Sequence, residues 1–125
     1  MNEPAKIIIV DNDKNLLDSL SWVLANEGFV VDIAETGKQA IEKIKTDSYN
    51  LFLFGLDNSN GEMVELVSKI KDIAPNMLKL AMIDTSYFNN VNDLSGLGID
   101  DYVIKPIFVT DVIGKIKGHL NNKRL

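Results

Sequence analysis

The 125-residue chain is predicted to be α/β, a doubly wound parallel sheet of five strands built from five βα repeats. Three observations carry this reading. Five short apolar runs recur along the chain, each of strand length. Segments with helical period separate them. The first and third runs are apolar at successive positions, as central parallel strands covered on both faces require.

The first run is Ile7-Ile8-Ile9-Val10. After it, Leu16, Leu20, Val23 and Leu24 form one helical stripe, with Asp13 placed to cap its start. The second run, Phe29 to Ala34, leads through Thr36-Gly37 into a helix marked by Ala40, Ile41 and Ile44. The third, Leu51 to Phe54, precedes a helix carrying Met63, Leu66, Val67 and Ile70. The fourth, Leu78 to Ile83, is followed by Tyr87 to Gly98, which is poor in apolar residues and holds three Asn and two Gly. That stretch predicts a short or irregular fourth helix. The fifth run, Tyr102 to Ile104, precedes a last helix on Val109, Val112, Ile113, Ile116 and Leu120. Gly114 and Gly118 weaken it by up to ~1 kcal/mol each. Asn121 to Leu125 read as a frayed tail. Right-handed crossovers then give one open sheet with helices on both faces.

Composition narrows the function. Thirteen basic against eighteen acidic side chains give a net charge of -5, which disfavours nucleic acid and anionic membrane as partners. No cysteine is present, so disulfides, thiolate metal sites and cysteine nucleophiles are excluded. The single histidine, His119, is expected on a partly exposed helix face. Trp22 and the phenylalanines read as core or helix-face residues. Lys115, Lys117, Lys123 and Arg124 read as a solvated helix end that complements the dipole. The polar start and the lack of a ~20-residue apolar stretch point to a soluble, cytoplasmic chain forming one domain over residues 1–125.

In open α/β sheets the site lies at the carboxyl ends of the strands. There the chain carries Asp11-Asn12-Asp13, Gly55-Leu56-Asp57, Asp84-Thr85-Ser86 and Lys105-Pro106. Carboxylates that hold Mg²⁺, with a hydroxyl and an ammonium that neutralise phosphoryl oxygens, suit phosphoryl chemistry.

Taken together these residues resemble the receiver domain of two-component response regulators, over essentially the whole chain. Lys6 to Asp13 is similar to the family's first strand and acidic pair. Tyr49 to Phe54 resembles the strand leading to the phosphoacceptor. Asp100 to Pro106 resembles the fifth strand, with Tyr102 as the aromatic switch residue, Lys105 as the family's lysine and Pro106 as a cis-proline candidate. The resemblance implies the flavodoxin-like receiver architecture and a role in phosphorelay signal transduction rather than an enzyme. It also implies a protein partner, either a histidine kinase or an output or regulatory protein. That partner would meet the face made by the fourth helix, fifth strand and fifth helix; a homodimer is a further possibility.

The departures are as informative. The match over Tyr49 to Phe54 puts Gly55 at the phosphoacceptor position. The acidic pair is reduced to Asp11 with Asn12. Asp84 and Thr85 both compete for the switch hydroxyl position. Glycine offers no nucleophile, so the expected function is that of a degenerate pseudo-receiver, working by protein–protein interaction without aspartyl phosphorylation. Mg²⁺ binding is expected to be weak, and Gly55→Asp is expected to tighten it.

Asp57 is the substitute acceptor to weigh. It lies two residues, roughly 6–7 Å, farther along the strand, which spoils in-line geometry. It is instead expected to be an exposed loop aspartate capping the next helix. Two other classes compete. A small Mg-dependent phosphohydrolase of haloacid-dehalogenase type would use Asp11 as nucleophile and Asp13 as acid/base, but Asn15 and the acidic pair Asp100-Asp101 depart from that pattern. A flavin or nucleotide binder would need a phosphate-cradling loop where Asp11-Asn12-Asp13 stands.

Overall fold

The computed structural model describes residues 3–57, 61–86 and 94–124. Its strands are β1 (Lys6–Val10), β2 (Val30–Ala34), β3 (Leu51–Leu56), β4 (Leu78–Ile83) and β5 (Asp101–Ile104). They pair in parallel in the order β2-β1-β3-β4-β5. The chain reverses direction across the sheet between β1 and β3, and the register sets Val10 against Phe54 there. The helices are α1 (Lys14–Asn26), α2 (Gly37–Thr46), α3 (Glu62–Ile73) and α4 (Val109–Arg124). The predicted fourth helix over Tyr87 to Gly98 falls largely outside the described residues. Its described end is a 3-10 turn, Ser95–Leu97.

Strand alternation sorts the apolar side chains into two cores. Ile8, Val10, Phe52, Phe54, Ala81 and Ile83 point to one face, where Ala40, Ile44, Leu66, Val67 and Ile70 of α2 and α3 cover them. Ile7, Ile9, Leu51, Leu53 and Met82 point to the other, against Leu17, Leu20, Leu24, Val112 and Ile116 of α1 and α4. Phe52 and Phe54, two apart on one strand, stack with ring centroids 4.6 Å apart. Each such fully buried side chain contributes about 1.5–3 kcal/mol of transfer free energy, so β1 and β3 are the anchor of the sheet.

Local chemistry fixes the helix starts. Asp13 accepts from the Leu16 N–H at 3.2 Å and caps α1. At α2, Thr36 Oγ1 accepts from the Gln39 N–H while Gln39 Oε1 accepts from the Glu35 N–H, a reciprocal cap. The turn after α1 needs the left-handed backbone of Gly28, at φ 96°.

Several expectations need correction. Trp22 is a helix-face residue of α1 and not core, since it lies off the apolar stripe and is 70% exposed. Phe108 is neither core nor helix face: it precedes α4 and is 69% exposed. Lys115 and Lys117 are paired, with Asp101 at 3.0 Å and Glu27 at 2.8 Å, rather than simply solvated. The side chains of Lys123 and Arg124 lie outside the described residues. His119 is a partly exposed helix residue, but its Nε2 is 2.9 Å from Asp101 Oδ2. Asp101 is therefore the hub joining β5 to α4.

Candidate functional site

Asp11 directly follows β1 and is buried, with 1% of its side chain exposed. Both carboxylate oxygens are occupied. Oδ1 accepts from the Asp13 N–H at 2.9 Å, and Oδ2 accepts from Lys105 Nζ at 2.8 Å. Lys105 reaches it from the end of β5 with 24% of its side chain exposed, so the pair is sheltered on one side and wet on the other.

Gly55 lies within β3, beside this pair. The strand runs on to Leu56, beyond the Phe54 boundary expected from the apolar run. A Cβ built at position 55 would stand 2.2 Å from Asp11 Oδ2 and 2.9 Å from its Cγ. The Asp11 carboxylate therefore occupies the volume in which a side chain at 55 would begin. Sequence reading identified both residues, but this exclusion depends on a rotamer no pattern encodes.

The surrounding cleft has a volume of about 240 Å³ and opens at the switch point of the sheet, next to the Thr36-Gly37 start of α2. Asn12 is exposed on its rim. Asp57 lines the same cleft and is half-buried rather than exposed. The N-cap of α3 is Gly61, which has no side-chain cap hydrogen bond. Asp13 is committed to capping α1, which removes it from an acid/base role of the haloacid-dehalogenase kind.

After β4, Asp84 is half-buried and Thr85 exposed. Asp84 Oδ1 accepts from the Ser86 N–H at 3.0 Å. Hydrogen bonds from the Ser86 backbone and side chain, and the charge of Lys105, hold the Asp84 carboxyl below its usual range. Of the two residues, Asp84 is the one electrostatically tied to Lys105. Tyr102 is half-buried against the α2/α3-side core, and the Lys105–Pro106 peptide bond is cis.

A receiver pocket would be expected to hold Mg²⁺, and of Asp11, Asn12 and Gly55, at the positions of its acidic residues, only Asp11 is a carboxylate. Mg²⁺ needs one or two available carboxylates in octahedral geometry. Asp11 already has both oxygens engaged, Asn12 is neutral and Gly55 has no side chain. Among the described residues, no group of three or more Asp, Glu, His or Cys side chains is placed to hold a metal.

Residues 7–117 match the profile of the response regulator receiver domain. The chain belongs to that family, the receiver modules of two-component signalling. It is 29% identical over 120 residues to the response regulator ArlR of Staphylococcus saprophyticus, covering 94% of this chain and 53% of that protein. The chain thus spans about half the length of the curated relatives it matches. A CheY-like receiver domain protein from Methanospirillum hungatei superposes with a TM-score of 0.89 at 32% identity, covering 97% of each chain. A two-component response regulator from Clostridium difficile gives 0.85 at 28% identity, covering 94% of this chain and 96% of that one. The predicted fold class is the one found. No helix among the described residues is long and apolar enough to cross a membrane.

Proposed function

We propose that the 125 residues act as one degenerate receiver unit, a pseudo-receiver that signals by binding a protein partner and takes no phosphoryl group. One observation carries this reading: Asp11, paired with Lys105 at 2.8 Å, fills the space of the missing side chain at position 55. An acyl phosphate needs a carboxylate there, and Gly55 supplies none. Asp57 is on the cleft wall but two residues farther on, where in-line attack on a phosphodonor is lost.

The partner is a histidine kinase or an output or regulatory protein. It meets the β5–α4 edge, where Ile104 and Phe108 are exposed beside Tyr102. The acidic net charge keeps direct nucleic-acid contact out of this role.

Intact mass after incubation with acetyl phosphate and Mg²⁺ tests the proposal. The expected result is the unmodified mass. A gain of one phosphoryl group, abolished by Asp57→Asn, would replace it with phosphorylation at the substitute acceptor.

A further inference from the structure

Position 55 can be read as more than a missing acceptor. The ideal Cβ there lies 2.2 Å from Asp11 Oδ2, closer than non-bonded atoms approach, so any side chain at 55 must move Asp11. That carboxylate has little freedom to yield. It is buried, its Oδ1 is held by the Asp13 N–H, and its Oδ2 by Lys105. Turning it away from position 55 gives up the Lys105 contact.

We propose that Gly55 is a positioning residue: its bare α-carbon lets Asp11 take the acceptor's place and hold Lys105, and an aspartate restored at 55 alone does not return the pocket to phosphoryl transfer. This rests on the pseudo-receiver reading and deepens it. It also reverses the expectation that Gly55→Asp simply adds a metal ligand. A second carboxylate at 55 would press against a buried like charge, which drives one of the two to protonate or leave. Lys105 would then be shared between them. Asn12 remains neutral, so the new carboxylate at 55 restores only one of the two acidic groups that this pocket lacks beside Asp11.

A double-mutant cycle on the full chain tests the positioning role. Gly55→Ala adds only the Cβ. It should lower the urea midpoint in the wild-type background and leave it unchanged when added to Asp11→Ala. It should also move the Lys105 side-chain NMR signals to where Asp11→Ala puts them. Equal midpoint losses in both backgrounds, or Lys105 signals that stay at their wild-type positions, would overturn the proposal. Intact mass with acetyl phosphate and Mg²⁺ separates the two levels. A phosphoryl gain in wild type overturns the pseudo-receiver reading. Silence in wild type with a gain in Gly55→Asp leaves that reading standing and overturns this inference. The expected result is silence in both.

Discussion

Lys105 Nζ and Asp11 Oδ2 meet at 2.8 Å across a sequence separation of 94 residues, tying the end of β5 to the end of β1. The two partners are not equally sheltered: 24% of the lysine side chain is exposed and 1% of the aspartate's. Breaking the pair from either side should therefore cost different amounts.

Lys105→Met leaves a carboxylate buried with only the Asp13 N–H, and removing one partner of a buried pair costs about 3 kcal/mol or more. Asp11→Asn keeps an acceptor for that N–H and leaves an ammonium that can turn to water, a loss of about 1 kcal/mol. Urea unfolding with unchanged m-values should rank Lys105→Met as the more destabilising variant. The reverse order would mean that Asp11 is better solvated than its burial indicates.

On the opposite side of the sheet from β5, the Tyr49 hydroxyl donates to Asp32 Oδ2 at 2.6 Å, while Lys6 lies over the Tyr49 ring and pairs with Asp47. Burial, and then the hydrogen bond to Asp32 and the charges of Asp32 and Asp47, push the phenol above its ordinary range. A tyrosine whose folded pKa is raised contributes stability that is fully present below its unfolded value, near 10, and lost as pH climbs through the folded value. Tyr49→Phe should cost about 1–2 kcal/mol at neutral pH. The gap between wild type and variant should narrow above roughly pH 10. A gap that is constant through alkaline pH would remove the hydroxyl from the account.

Much of this was visible in the sequence, for identifiable reasons. β1 and β3 are buried on both faces, so their composition announced them, and the match leading to Phe54 put Gly55 at the pocket. The helix cap at Asp13 was read from side-chain chemistry within three residues, and the structure adds one of the same kind at Thr36. What was not legible depends on contacts between distant elements. Lys115 and His119 are four apart on α4, a spacing that puts them on one face, but only the approach of β5 supplies Asp101 between them. Asp57 was expected in an exposed loop because periodicity ends at the strand, whereas the cleft wall half-buries it. The overlap of Asp11 with position 55 required a side-chain conformation.

Asp101 gives a prediction in acid. Its partial burial raises the carboxyl pKa, but contacts from His119, Lys115 and the Tyr102 N–H outweigh this and leave it below the usual value. A carboxylate with a depressed folded pKa contributes stability present above its unfolded value and lost as pH falls through the folded one. Asp101→Asn should therefore lower stability at pH 7 by roughly 1–2 kcal/mol. That deficit should shrink below about pH 4, where wild type protonates as well. A deficit that grows in acid would place the stabilising charge elsewhere.

The last prediction concerns switching. In the family this chain resembles, the phosphoryl group draws the strand-four hydroxyl and the lysine toward itself, and the aromatic residue rotates inward. A ligand shifts such an equilibrium only by binding one state better than the other. Here Lys105 is already held by Asp11, and Thr85 is exposed beside a half-buried Asp84 that repels an anionic group. Gly55 has no side chain on which a phosphoryl group or beryllofluoride could sit. Neither end of the switch has a differential contact to offer, so amide spectra of the protein with Mg²⁺ should overlay with and without beryllofluoride. Shifts concentrated at Thr85 and Tyr102 would show that the pocket still binds the analogue. The same titration on Asp11→Ala, where Lys105 is released, would then tell whether the ion pair was the obstacle.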